Sequence, residues 1–130
     1  MTSEKCVFCE IYKTEKRILY ENNAFWTTLD KYPVSEGHAL IIPKKHVISF
    51  FDLQINDLEN LVNALTETKK LIDQQHTPDA YNIGVNDGEA AGRTVHHLHI
   101  HLIPRYKGDV ENPIGGVRNI IPGKGDYTKK

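Results

Sequence analysis

Long apolar runs are missing from this chain. No stretch of its 130 residues nears the ~20 consecutive apolar residues that a membrane-spanning helix needs. An excess of one charge is missing too. Sixteen Lys and Arg stand against 17 Asp and Glu, a net charge of −1. That balance gives no argument for a nucleic-acid groove or an anionic membrane surface as partner. It leaves phosphate binding open, because local fields matter more than the total. Cysteine is scarce, with two residues, and the start Met1-Thr2-Ser3-Glu4-Lys5-Cys6 is polar, without the apolar core of a secretory signal. A cytoplasmic, reducing setting is therefore expected, in which thiols serve metal binding or chemistry rather than a structural disulfide. Repeats, low-complexity tracts and interdomain linkers are also lacking. The expectation is a single domain over 1–130, with 110–130 as an extended, Gly- and Pro-rich C-terminal tail.

What is present is an ordinary globular composition, 39% apolar and 25% charged, in a chain long enough to bury a core without staples. Ile18–Glu21 and Ala24–Leu29 read as strands joined by a turn at Glu21-Asn22-Asn23. Asp30–Gly37, with Pro33, Ser35 and Gly37, reads as a loop. Gly37–Pro43 is a third strand, apolar on both faces in its middle and so expected at the centre of a sheet. Asp57–Gln75 carries Leu58, Leu61, Val62, Leu65 and Ile72 at helical spacing, with Asn56 or Asp57 as N-cap. Tyr81–Val85 is a fourth strand, Asn86–Arg93 a loop, and a fifth strand follows. Ile114, Val117, Ile120 and Ile121 are expected to anchor the tail. Strands and one helix in this order predict an α+β fold, an antiparallel sheet of about five strands with the long helix packed on it.

The fifth strand holds the richest chemistry: Thr94-Val95-His96-His97-Leu98-His99-Ile100-His101-Leu102. His97, His99 and His101 alternate with Leu98, Ile100 and Leu102, the period of a strand with one polar and one apolar face. His96 falls out of phase and should face away. In an extended strand the Cα atoms of His97 and His101 lie roughly 13 Å apart. With zinc–nitrogen bonds of about 2.1 Å, one ion cannot easily hold all three rings. Covalent catalysis by an oriented neutral imidazole and a merely solvated histidine face both remain. Cys6 and Cys9 have the C-x2-C spacing of half a zinc site, and equally of a redox dithiol, although nothing precedes them that would build the βαβ unit of a thioredoxin-like motif.

His97-Leu98-His99-Ile100-His101-Leu102-Ile103 resembles the signature of the histidine triad family. Gly37-His38, Leu40-Ile41-Ile42-Pro43-Lys44-Lys45-His46, Cys6-Val7-Phe8-Cys9, and Asn86-Asp87-Gly88 before Gly92 resemble its other blocks, in the same order. The resemblance implies transfer or hydrolysis of nucleotidyl groups, with His99 as the nucleophile toward the α-phosphate. It implies that His101 bonds phosphate oxygens and assists the leaving group, and that His38 and His97 orient the pocket. Asp30 would hold ribose hydroxyls, or else cap the turn before Tyr32-Pro33. Asn86 would contact phosphate or sugar, or else serve the Asn-Asp-Gly turn. Thr94 would stand near the leaving group, and Gly92 would let a backbone N–H approach phosphate. Arg93 departs from the family, which commonly has Gln there; a fixed charge and a donor fork would favour a more highly charged polyphosphate, or point to solvent.

The same resemblance implies a structural Zn2+ held by Cys6, Cys9, His46 and His97, and a homodimer. It implies a nucleotide hydrolase that releases a nucleoside monophosphate from dinucleoside polyphosphates or nucleoside phosphoramidates through a nucleotidyl-histidine. The alternatives are a nucleotidyltransferase to a phosphorylated acceptor, a zinc-stabilised nucleotide-binding module and, more remotely, a metallohydrolase. Arg105, Lys107, Arg118 and Lys124 either rim the site for a polyphosphate or form a solvated surface.

Overall fold

The computed structural model describes residues 6–15 and 17–128; residues 1–5, on which the reading of the N-terminus rests, lie outside them. The chain opens with a helical turn, α1 (Val7–Glu10), which widens into a π-type turn at Ile11–Glu15. Strands β1 (Tyr20–Glu21), β2 (Phe25–Leu29) and β3 (Ala39–Pro43) follow, then helix α2 (Asp57–Gln75), then β4 (Ala80–Gly84) and β5 (Ile100–Arg105). The sheet runs β1-β2-β3-β5-β4, and every pair is antiparallel. The expected α+β sheet-and-helix architecture is the one observed.

Alternation along β3 explains its unbroken apolar sequence. Ala39 and Ile41 face α2, in a core with Phe25, Leu61, Ala64, Ile72, Leu98, Ile100 and Leu102. Leu40 and Ile42 face the other way, against Trp26, Phe8, Ile11 and Cys6. The sheet is therefore covered on both faces, by α2 on one and by the N-terminal turns on the other, and its central strand is buried throughout. Thr27 is the polar exception on the helix side. Its hydroxyl accepts from the Thr68 hydroxyl at 2.9 Å, so neither buried group is left unpaired.

The turns have equally local causes. The Asn22 side-chain oxygen accepts from the amides of Ala24 and Phe25, which closes the β1–β2 turn. The loop after β2 is closed by the Asp30 amide donating to the His38 carbonyl. Gly37 ends that loop at φ +91°, where a β-carbon would sit 3.0 Å from Ile72 Cγ2 and 3.2 Å from the His76 ring. Only glycine allows both the backbone conformation and the approach to α2, and His38 enters β3 directly behind it.

Some expectations are corrected. The α2 stripe is only partly a core stripe: Leu61, Ala64, Thr68 and Ile72 are buried, whereas Leu58 and Val62 stand exposed. Asn56 makes no capping bond; the Asp57 carboxylate accepts instead from the Gln54 amide. Ile114, Val117, Ile120 and Ile121 are all exposed and anchor nothing within the described chain. The tail is held by polar and backbone contacts instead. The Arg118 guanidinium donates to the Gly125 carbonyl and lies over the Tyr127 ring. The ladder of β5 starts only at Ile100, so His97 and His99 precede the hydrogen-bonded strand, although their alternation persists. Among the described residues no helix is long and apolar enough to cross a membrane.

Candidate active site

The face of the sheet away from α2 carries a row across three strands. Thr28 pairs with Leu40 and Leu40 with His101. All three lie on the floor of a cavity of about 720 Å3. Val7, Phe8 and Ile11 from the N-terminal turns give it an apolar wall, and Asn86, Gly92, Arg93 and Thr94 line it from the loop before β5. Asp30, at the end of β2, lines it too, as does His99.

The protons of the histidine row follow from its hydrogen bonds. His99 Nδ1 lies 2.8 Å from the His97 carbonyl oxygen. A carbonyl only accepts, so Nδ1 carries a proton, and in the neutral ring the lone pair falls on Nε2. The Phe8 ring packs 4.8 Å from the His99 ring, and His101 packs 5.1 Å from it on edge. His38 Nδ1 accepts from the Val34 amide at 3.1 Å, which places the His38 proton on Nε2. Nε2 donates to His101 Nδ1 at 2.9 Å, with Asp30 Oδ2 at 3.4 Å on the same nitrogen. His101 is thereby left with its own proton on Nε2, as a donor. Burial pushes the His101 ring down to about 4, helped by the neighbouring His99 and His38, and it is neutral near pH 7. Burial lowers His38 as well, against the opposing pull of Asp30.

His97 turns away from this cavity. Its Nε2 donates to the Pro43 carbonyl at 2.9 Å, so Nδ1 is the bare nitrogen. That nitrogen lies 3.2 Å from Cys6 Sγ, 3.5 Å from Cys9 Sγ and 3.1 Å from His46 Nδ1, with Cys9 Sγ 3.6 Å from His46 Nδ1. All four ligand atoms fall within 4.8 Å of one another. Ligand atoms in a tetrahedron sit about 1.6 bond lengths apart, roughly 3.3–3.8 Å for zinc bonds to nitrogen and sulfur. The cluster thus fits a tetrahedral metal with two thiolate and two imidazole ligands, and the Pro43 carbonyl fixes the tautomer such a site requires. Among the described residues both cysteines are free thiols. Burial pushes the Cys9 thiol up to about 11, and the hydrogen bond and charge of Cys6 add to it. A cation at that point reverses the preference by binding the thiolate.

The family model for the HIT domain matches residues 12–108, which include His38, His46 and the whole histidine row. The chain belongs to the HIT domain family. An uncharacterised HIT-like protein of Methanocaldococcus jannaschii is 36% identical over 118 residues, 88% of this chain and 91% of that one. The adenylylsulfatase HINT3 of Arabidopsis thaliana is 36% identical, over 80% of this chain and 54% of its own length. The asymmetrical bis(5'-nucleosyl)-tetraphosphatase of Schizosaccharomyces pombe is 30% identical, over 81% and 58%. Among solved structures, a zinc-bound histidine triad protein of Mycobacterium smegmatis superposes with a TM-score of 0.72 at 34% identity, covering 82% of this chain and 79% of that one.

Within this HIT domain, His99, His101, Asp30, Asn86, Gly92, Arg93 and Thr94 all line the one cavity. His38 stands behind His101, and His97 does not line the cavity but holds His99 Nδ1 through its carbonyl. Asp30 caps the turn, as one of its two readings had it: Oδ1 accepts from the Tyr32 amide, while Oδ2 faces His38. Of the two readings of the basic residues, the rim does not form. Arg105 is bound by Asp109 and Asn82, Arg118 by the tail, and neither lines the cavity, nor do Lys107 and Lys124. Its cations are Arg17, Lys31 and Arg93. His96 is exposed and outside the cavity. The residues that the sequence did not assign to the site include Thr28 and Leu40 of the floor, the cations Arg17 and Lys31, and the apolar wall of Val7, Phe8 and Ile11. For Val7, Phe8 and Ile11, spacing on one helical face around Cys9 is the available signal.

Proposed function

We propose that the chain is a nucleotide hydrolase that releases a nucleoside monophosphate through a covalent nucleotidyl-His99. The observation that carries this reading is the fixed tautomer of His99. Its Nδ1 is spent on the His97 carbonyl, and its lone pair on Nε2 is available in a cavity that also holds the His101 donor. The apolar wall suits a nucleobase and Asp30 a ribose edge. The activities named for the Arabidopsis and Schizosaccharomyces relatives support the same class.

In the first step the Nε2 lone pair attacks the α-phosphorus, and the bond to the leaving group breaks with its electron pair going to that group. The ring becomes cationic and keeps its Nδ1 proton on the His97 carbonyl. His101, neutral with Nε2–H outward, donates to a phosphate oxygen where negative charge concentrates. In the second step water attacks the same phosphorus, the N–P pair returns to Nε2, and the water proton passes to solvent as the monophosphate leaves. Dinucleoside polyphosphates meet these demands directly, and nucleoside phosphoramidates meet them when the departing nitrogen also takes up a proton from solvent and leaves as an amine.

Cys6, Cys9, His46 and His97 would hold a structural Zn2+. The closed ligand set leaves no position for water, so the metal would contribute stability rather than chemistry. It would tie α1, and with it the Phe8 wall, to the chain that orients His99. A reducing cytoplasm suits the two thiols, and no polymeric nucleic acid is required as a partner.

Incubating wild type and His99→Ala with diadenosine tetraphosphate or adenosine phosphoramidate, and separating the products by chromatography, tests the reading. AMP from wild type and none from the variant supports it. AMP from both, or from neither while nucleotide still binds, ends it and leaves a transferase or a binding module.

A further inference from the structure

Arg93 sits on a rigid platform. The preceding turn, Glu89–Ala91, is closed by Gly92 at φ +100°, and the Arg93 amide itself donates to the Gly88 carbonyl at 3.0 Å. The Asp87 carboxylate pins the start of this loop by accepting from the Ser49 hydroxyl and the Phe50 amide. From this platform the side chain enters the cavity wall, and its Nε is buried without a hydrogen-bond partner. Such atoms are rare in folded chains, and each calls for an explanation. Thr28 Oγ1, on the floor of the same cavity, is another of the three found among the described residues. Two polar side chains at the wall of one cavity, each with an unpartnered buried atom and one of them a cation, suit a ligand that carries several acceptor oxygens.

A guanidinium is a permanent cation with five donors, no acceptor and no proton to give near neutral pH. This bears on the two substrate classes left open above. When a phosphoanhydride is cleaved, His99 Nε2 bonds to the α-phosphorus and the bridging oxygen departs with the electron pair. That oxygen belongs to a phosphate stable as an anion, so it needs charge stabilisation and no proton. When a phosphoramidate is cleaved, the nitrogen must take up a proton to leave as an amine. Arg93 supplies the first need and not the second.

We propose that Arg93 makes the site selective for nucleotides whose leaving group is an oxyanion, the phosphoanhydrides, over phosphoramidates whose leaving group is an amine. This inference rests on the hydrolase reading above. The test compares kcat/KM for diadenosine tetraphosphate and adenosine phosphoramidate in wild type, Arg93→Gln and Arg93→Lys. The anhydride-to-phosphoramidate ratio should fall about 10- to 100-fold in Arg93→Gln, the range expected for loss of a charge-assisted hydrogen bond. Arg93→Lys, which keeps the charge without the fork, should recover part of it. A proportional loss on both substrates would place Arg93 on the α-phosphate or in the scaffold and overturn the proposal, and so would an unchanged ratio. If wild type cleaves neither substrate, the hydrolase reading fails, and Arg93 is judged by calorimetric binding of ATP and AMP. A ratio of ATP to AMP affinity that drops about tenfold in Arg93→Gln upholds an anionic subsite beyond the first phosphate, and an unaltered ratio removes it.

Discussion

His38 donates from Nε2 to Nδ1 of His101 across 2.9 Å, and the bond exists because the Val34 amide occupies the other nitrogen of His38. One backbone N–H in the loop after β2 thereby dictates which nitrogen of His101 carries a proton into the cavity. Replacing His38 by Phe keeps the ring and removes the relay. We expect kcat to fall about 10- to 100-fold, the usual cost of losing an orienting partner, with KM changing less. An unaltered kcat would show that His101 holds its tautomer unaided.

The same burial sets a pH window. His101 is lowered to about 4, and His38 and His97 are lowered too, with burial the leading cause in each. An unfolded histidine titrates near 6.5. Between about pH 6.5 and 4 the unfolded chain therefore binds more protons than the folded one. The stability these rings contribute is present in full above pH 6.5 and is lost as pH falls through that window. The slope should reach up to about 1.4 kcal/mol per pH unit for each such ring. Urea denaturation from pH 7.5 to 4.5 reads it directly. A flat profile between 6.5 and 4.5 contradicts the buried neutral row.

Gly37 links packing to this relay. An added methyl there meets Ile72 Cγ2 at 3.0 Å in a backbone conformation that L residues rarely adopt. Gly37→Ala should cost about 1–3 kcal/mol and should disturb His38, which follows it. Thermal unfolding with parallel kinetics checks both effects. A destabilised variant with wild-type kcat would separate the turn from the site.

Much of this was legible because short periods survive folding. The alternation of His97, His99 and His101 with Leu98, Ile100 and Leu102 holds even where the ladder has not begun. The two-sided apolar run of β3 told its central position. What period cannot tell is how far a partner surface extends. Leu58 and Val62 share a helical stripe with Leu61 and Leu65, yet the sheet covers only part of that stripe. Nor can it foresee contacts between distant segments, such as Phe8 against His99 or Arg105 drawn to Asp109 and Asn82. The Arg93 platform depends on Asp87 reaching Ser49 and Phe50, across 37 or more positions of chain.

The cysteine–histidine cluster predicts a metal content. Purified protein should carry about one zinc per chain by elemental analysis, and Cys9→Ser or His46→Ala should carry far less. Because the Cys9 thiol stands near 11 without a cation, uptake near pH 7 must release protons, and affinity must weaken as pH falls. Calorimetry in buffers of different ionisation enthalpy measures that release. Chelation should lower the unfolding temperature together with nucleotide binding, since α1 and its N-cap carry Cys6, Cys9 and Phe8. Loss of turnover with the unfolding temperature unmoved would instead identify a catalytic metal.

The exposed apolar residues define where a second copy would dock. β4 is an edge strand with nothing paired on its outer side among the described residues. Ile83, 52% exposed, lies opposite Leu102 and so faces the α2 side of the sheet, where Leu58 and Val62 are also exposed. An open strand edge and exposed apolar residues on the same side of the sheet are a liability unless they are covered. A homodimer joined through β4 and α2 would cover them, giving one continuous sheet across the two-fold axis. Light scattering on the eluted protein should then report a dimer. Ile83→Arg or Val62→Glu should shift it to monomer at micromolar concentration while leaving the far-ultraviolet circular dichroism intact. A wild-type monomer at ~100 μM would refute this face as a self-association surface, because contacts that bury a standard-size interface persist well below that concentration.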